Sequence, residues 1–217
     1  AAIAATRLPA ATRPAVLSYP STNDAADAPS KQDARRALRE ARRAIDEGYA
    51  GTAALRSAER LAADEHWRAA NSIALYLPSD GEFPTHAIAD RARSDGKTLY
   101  LPCVDDGAMV MRRWDADASL LRNRYGIEEP DGTAPAATSI DIILLPVVGW
   151  SASGFRLGMG GGYYDRLLGG AAMGGWRVGL AYDCQRLDAL DRMREAWDVM
   201  LEAVLTETAL HVPAGTA

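Results

Sequence analysis

Residues 156–166 read Arg156-Leu157-Gly158-Met159-Gly160-Gly161-Gly162-Tyr163-Tyr164-Asp165-Arg166. Four glycines in five positions give way at once to two tyrosines, an aspartate and an arginine. Upstream, Ile140-Asp141-Ile142-Ile143-Leu144-Leu145-Pro146-Val147-Val148-Gly149 reads as a buried strand running into a turn. The local order is then strand, glycine-rich loop, and a helix opened by an aromatic, acidic and basic cluster. Glycines let backbone N–H groups approach a phosphate with no side chain between. A helix N-terminus behind them adds partial positive charge. An aspartate at that point can hold a magnesium ion that bridges phosphate oxygens. Two familiar loops are excluded by spacing. No Gly-x-x-x-x-Gly-Lys-Ser/Thr run is present, and Tyr163 stands where a dinucleotide fingerprint needs its third glycine.

The rest of the chain supplies strands and helices in alternation. Ser30 is a suitable cap for a helix starting at Lys31, with Ala34, Leu38, Ala41 and Ile45 as its apolar stripe. Lys31, Arg35, Arg39 and Arg42 then gather in an arc of roughly 80° beside that stripe. Like charges so close repel unless an anion lies between them. A second helix is expected over residues 51–70. Residues 72–77 read as a strand, followed by a turn at residues 78–81, with Glu82 at the strand's carboxyl end. Thr85 is placed to cap a helix over residues 87–94, which Gly96 ends. Further strands are expected over residues 98–102, 109–114, 178–182 and 203–206. Such alternation implies an α/β fold: a single domain with a mostly parallel sheet flanked by helices on both faces. Ligands of such sheets bind beyond the carboxyl ends of the strands, where Glu82 and the glycine loop both fall.

Composition narrows the classes. A net charge of −5 argues against general nucleic-acid affinity, and no apolar run approaches the length of a membrane span. Cys103 and Cys184 make neither a metal knuckle nor a disulfide framework, which favours a reducing compartment and a cytoplasmic location. His66, His86 and His211 lack ligand spacing and read as surface or helix-end residues. Residues 1–30, rich in Ala, Thr and Pro, suit a disordered and dispensable extension before a catalytic domain over residues 31–211. Nothing in the sequence sets an oligomeric state.

The glycine segment is close to the signature of the 5-formyltetrahydrofolate cyclo-ligases, also called 5,10-methenyltetrahydrofolate synthetases. The chain resembles that family along nearly its whole length after residue 30. The landmarks recur in family order: the basic helix with Lys31 and Arg35; Tyr76-Leu77 with Glu82 and Thr85; Gly96-Lys97-Thr98 before a strand ending at Pro102; Tyr125-Gly126-Ile127-Glu128-Glu129-Pro130; Gly179-Leu180-Ala181-Tyr182-Asp183 with Gln185; and Asp198 before Ala203-Val204-Leu205-Thr206-Glu207. Two positions depart from it. Trp150-Ser151 stands where the family often has Phe-Asp, and Trp197 where it often has His before the late aspartate.

The resemblance implies an enzyme that uses ATP and Mg²⁺ to close 5-formyltetrahydrofolate into 5,10-methenyltetrahydrofolate. It implies that Lys31 and Arg35 contact ATP phosphates. Arg156, Leu157, Gly158, Met159, Gly160, Gly161, Gly162, Tyr163 and Tyr164 would hold ATP, with residues 159–163 also facing the folate. Leu77 and Glu82 would line the folate site, Asp165 and Asp198 would bind Mg²⁺, and Arg156 and Tyr163 would be catalytic. A formamide oxygen leaves poorly until it is phosphorylated. Such chemistry asks for positioning and charge neutralisation more than for a protein nucleophile. The chain shows no obvious nucleophilic triad. The competing readings are another small ATP-dependent ligase or kinase on the same scaffold, and a nucleotide- or folate-binding module without turnover.

Overall fold

The computed structural model describes residues 30–105, 107–124, 126–169 and 173–214. The expected extension over residues 1–30 therefore lies outside the described residues, apart from Ser30. The elements in chain order are α1 (Lys31–Arg43), α2 (Glu47–Ala62), α3 (Glu65–Ala69), β1 (Ser72–Ala74), α4 (His86–Ser94), β2 (Thr98–Asp105), β3 (Ala108–Arg113), β4 (Leu120–Arg122), β5 (Glu128–Pro130), β6 (Ile142–Pro146), β7 (Gly149–Trp150), β8 (Arg156–Leu157), α5 (Tyr163–Gly169), β9 (Trp176–Leu180), β10 (Ala203–Leu205) and β11 (Leu210–His211).

Caps set the helix boundaries. The Ser30 hydroxyl accepts from the Asp33 N–H and opens α1. The single helix expected over residues 51–70 is two. Asp46 caps α2, four residues earlier than expected, and Asp64 caps α3 by accepting from the His66 N–H. Both aspartates supply the side-chain acceptor that a helix start requires. Thr85 precedes α4 but does not cap it. Its hydroxyl is buried and donates instead to the Tyr76 carbonyl, which ties the start of α4 to the segment just after β1.

Seven strands form the main sheet in the order β11-β10-β9-β6-β1-β2-β3. The five central strands run parallel, and β3 and β11 close the two edges antiparallel. Alternate residues of β6 serve opposite faces. Ile142 and Leu144 join the core under α2 and α4. Ile143 and Leu145 join the second core, with Leu168 of α5. The expected α/β architecture with both faces covered is thus observed. Helix α1 differs: it packs against β7 and the turn at residues 183–185, over the carboxyl edge of the sheet.

The chain leaves β1 toward β2 on one side, and β6, β9 and β10 extend on the other. The order therefore reverses between β1 and β6, and a crevice opens beyond their carboxyl ends, where ligands of such sheets bind. Buried Gln185 holds the β6 end in shape. Its amide donates to the carbonyls of Val147 and Val148 at 2.7 and 2.9 Å and accepts from the Tyr182 N–H. Leu144 is buried at the middle of this framework. Leu144→Ala should cost about 2–5 kcal/mol of stability, read as a lower urea midpoint with an unchanged denaturant slope.

Candidate active site

A cleft of about 1240 Å³ lies over that crevice. Every site residue named from the sequence lines it: Lys31, Arg35, Leu77, Glu82, residues 156–164, Asp165 and Asp198. The sequence order of strand, loop and helix needs one amendment. β6 does not enter the glycine loop directly. A two-stranded hairpin, β7 with β8, stands between, and the loop leaves from Leu157. Trp150 and Ser151, the departures from the family pattern, belong to this hairpin turn and not to the cleft wall. The Ser151 hydroxyl donates to the Asp191 carboxylate, and the Trp150 indole donates to the Tyr182 carbonyl.

The loop is shaped by what lies under it. Gly160 and Gly162 take left-handed conformations, φ 98° and 65°, that side chains disfavour. A Cβ at Gly158 would stand 3.0 Å from an Arg156 guanidinium nitrogen, and one at Gly160 would stand 3.4 Å from the Arg35 guanidinium carbon. Two arginines thus press against the loop from the protein side. Arg35 Nε donates to the Gly158 carbonyl at 2.8 Å. Among the described residues, no backbone N–H from Met159 to Gly162 donates a hydrogen bond. These donors remain available to an anion. Helix α5, only seven residues long, adds little dipole, so the loop N–H groups and arginines supply most of the positive potential.

Arg156 is the most enclosed of these cations, its side chain only 4% exposed. Its Nη2 lies 2.7 Å from Asp165 Oδ1, and its Cζ stands 5.7 Å from the Tyr164 ring centre. Its Nε is buried without an acceptor among the described residues. Asp165 therefore pairs with Arg156, while Arg166 lies over the Tyr163 ring. Asp165 Oδ1 also accepts from the Val199 N–H at 3.4 Å, which brings Asp198 to the same side of the cleft. Asp198 accepts from the Glu195 N–H, and Lys31 lies 2.7 Å from Glu195 and 3.7 Å from Asp198.

On the opposite wall, Glu82 accepts from the Ser79 N–H at 3.0 Å. Burial pushes its carboxyl above the ordinary value, against the Ser79 N–H and the charge of Arg42, which pull it down. Tyr164 is pushed up too, first by burial and then by Glu82, so its phenol stays a neutral hydrogen-bond donor. Several residues that line the cleft were not named as site residues from the sequence. Arg42 is fully buried and lines the cleft, as do Asp80, Glu195, Trp197 and the β4–β5 hairpin residues Asn123, Ile127 and Glu129. Arg42 sat in the basic arc, but periodicity alone could not separate it from its neighbours. The arc's expected anion is partly internal: Asp80 binds Arg39, Arg42 and Arg43. Burial raises the Asp80 carboxyl, yet the bonds from Arg39 and Arg43 and the charges of Arg39 and Arg42 bring it down to about 2. Among the described residues, no helix is long and apolar enough to cross a membrane.

The raised carboxyl of Glu82 has a stability consequence. The native state holds this proton more tightly than the unfolded chain. Stability is therefore lost as pH rises from the ordinary value of 4.5 through the elevated one. Glu82→Gln should melt higher than the parent at pH 7, and the gap should close as pH falls below 4.5. A melting difference that does not vary with pH would contradict this.

Comparison with known proteins converges on one family. The chain is 36% identical over 151 residues to the 5-formyltetrahydrofolate cyclo-ligase of Haemophilus influenzae, covering 64% of this chain and 76% of that one. It is 33% identical over 149 residues to the enzyme of the same name from Escherichia coli K12, covering 63% and 78%. The NMR structure of Aquifex aeolicus 5,10-methenyltetrahydrofolate synthetase superposes with a TM-score of 0.75 at 28% identity, over 85% of this chain and 93% of that one. The synthetase structure from Mycoplasma pneumoniae, at 21% identity and a TM-score of 0.65, shares the fold. The 5-formyltetrahydrofolate cyclo-ligase family profile matches residues 27–207, and the chain belongs to that family.

Proposed function

We propose that this cleft carries out the family's reaction, the ATP-driven closure of 5-formyltetrahydrofolate to 5,10-methenyltetrahydrofolate with release of ADP and phosphate. The observation that carries the reading is the glycine loop. Its N–H groups from Met159 to Gly162 are unspent among the described residues, and Arg35 and Arg156 press on it from beneath. That arrangement suits a polyphosphate. Lys31 extends the positive potential from the first turn of α1.

The folate lies on the other wall, against Leu77 and Glu82. A buried carboxylate matches the N–H groups of a pterin edge, and Tyr163 offers a flat amphipathic surface at the loop. The formyl oxygen attacks the γ-phosphorus, and the bond from phosphorus to the ADP oxygen breaks. N10 then attacks the activated formyl carbon, the carbon–oxygen bond to phosphate breaks, and the N10 proton leaves. Arg156, enclosed and fixed by Asp165, is the group that neutralises charge on the transferring phosphoryl.

Magnesium fits this cleft. Asp165 Oδ2 and Asp198 Oδ1 carry no hydrogen bond among the described residues. No cluster of three or more metal-ligating side chains is found among those residues. None is needed for an ion that takes one or two carboxylates with phosphate oxygens and water. When bound, the ion would neutralise the phosphate oxygens. We place the enzyme in the cytoplasm, where the buried free thiols of Cys103 and Cys184 would stay reduced.

The direct test is absorbance of methenyltetrahydrofolate formed from 5-formyltetrahydrofolate, with ATP and Mg²⁺ each supplied or withheld. Product should form only when both are present. ATP turnover with another acceptor alone, or folate binding without turnover, would overturn the reading. Two variants separate the subsites. A charge-assisted bond is worth about 1.5–3 kcal/mol, so Arg35→Ala should raise the KM for ATP roughly tenfold or more. Glu82→Gln should raise the KM for the folate more than that for ATP. The reverse ranking in either variant would exchange the assignments.

A further inference from the structure

Residues 79–82 form a two-residue turn in which Asp80 and Gly81 are both left-handed, at φ 51° and 72°. The Glu82 N–H donates to the Ser79 carbonyl at 2.9 Å. This is the Asp-Gly type I′ turn, in which two successive positive φ angles reverse the chain tightly. The turn sits directly on α1: a Cβ at Gly81 would stand 3.3 Å from Arg43 Cα. Asp80 is the one non-glycine residue with positive φ among the described residues. A backbone held in so sparsely populated a region needs support from its surroundings.

That support comes from α1. Asp80 Oδ2 accepts from Arg39 Nε at 2.8 Å and from Arg42 Nη2 at 3.0 Å, and Oδ1 accepts from Arg43. The Asp80 carbonyl accepts from Arg42 Nε at 3.0 Å. Arg42 then reaches onward, with Nη1 3.3 Å from the Val147 carbonyl and Nη2 3.9 Å from Glu82 Oε1. One carboxylate thus fastens the last turns of α1 to the loop that carries Glu82, across the crevice between β1 and β6. The same helix carries Lys31 and Arg35 at its other end, facing the glycine loop.

We propose that Asp80 is a positioning residue that locks the nucleotide-facing helix and the folate-facing loop to one another. It acts on both subsites while its own carboxylate oxygens are taken up by arginines. The proposal rests on the assignment of the two subsites above. Without the charge at residue 80, three guanidinium groups lose their shared anion and repel. Helix α1 then shifts against the glycine loop, and the Glu82 turn loses its seat. Both substrates are affected together.

The test is steady-state kinetics of Asp80→Asn, well below its melting temperature, with methenyltetrahydrofolate absorbance as readout. Asparagine tolerates the left-handed backbone and keeps the shape, so the change removes the charge and turns one of the two acceptor oxygens into a donor. Expected is a rise of about fivefold or more in both the ATP and the folate KM, unlike Arg35→Ala or Glu82→Gln, which act mainly on one each. A rise in only one KM overturns the proposal, since it makes Asp80 part of a single subsite. Two unchanged KM values with a lower melting temperature also overturn it, leaving Asp80 a structural residue. Should Asp80→Asn not fold, Arg39→Gln removes one donor on the partly exposed side of the cluster. It should raise both KM values about twofold, and unchanged values there are equally contrary. Absence of product with the unaltered protein would defeat the proposed function itself and is read separately from either variant.

Discussion

The site depends on how the positive charge of one helix is balanced. Helix α1 presents Lys31, Arg35, Arg39, Arg42 and Arg43 toward the carboxyl edge of the sheet. Its apolar side gives only Ala34 and Leu38 fully to the core, with Ala41, and Ile45 just past its end, half-buried. Polar partners hold the remainder: Glu195 for Lys31, the Gly158 carbonyl for Arg35, and Asp80 for the three arginines of the last turns. Each partner belongs to a different segment of the cleft wall. The docked helix therefore ties these segments of the cleft wall together.

Stability is spent at two places in the cleft. Arg156 is enclosed with Nε unpaired among the described residues. Glu82 is a carboxylate whose ionised form is opposed by burial. Buried charge that is only partly satisfied is expensive. Under the proposed function it is also preorganised for a phosphoryl group on one side and a pterin edge on the other. The cleft mouth carries Met159 and Trp197, 53% and 68% exposed. Among the described residues these are large apolar side chains left at the surface, and both line the cleft.

Much of this was legible in the sequence, for identifiable reasons. The glycine loop could be read because spacing and residue type both matter there, and the resemblance then named the residues. The sheet could be read because each central strand is a short apolar run bounded by turns. The seven-stranded order and the β7–β8 hairpin could not, since two-residue strands leave no periodic trace. The expected helix over residues 51–70 broke because Asp64 is a cap, and a cap inside an apolar pattern is masked by it. The partners of the arginines were equally hidden. Nothing near Asp80 in sequence indicates that α1, some forty residues away by chain separation, would meet it. The Asp80-Gly81 pair did signal a turn, and its type I′ geometry places the carboxylate against the helix.

In the proposed reaction the formyl oxygen is activated by direct phosphorylation in this cleft. That step is tested most directly by turnover of 5-formyltetrahydrofolate labelled with ¹⁸O in the formyl group, followed by mass analysis of the inorganic phosphate. The account predicts one labelled oxygen in each phosphate released, in step with methenyltetrahydrofolate formed. Product accompanied by unlabelled phosphate would contradict it, because the formyl oxygen would then have left by a route that never joined the phosphoryl group.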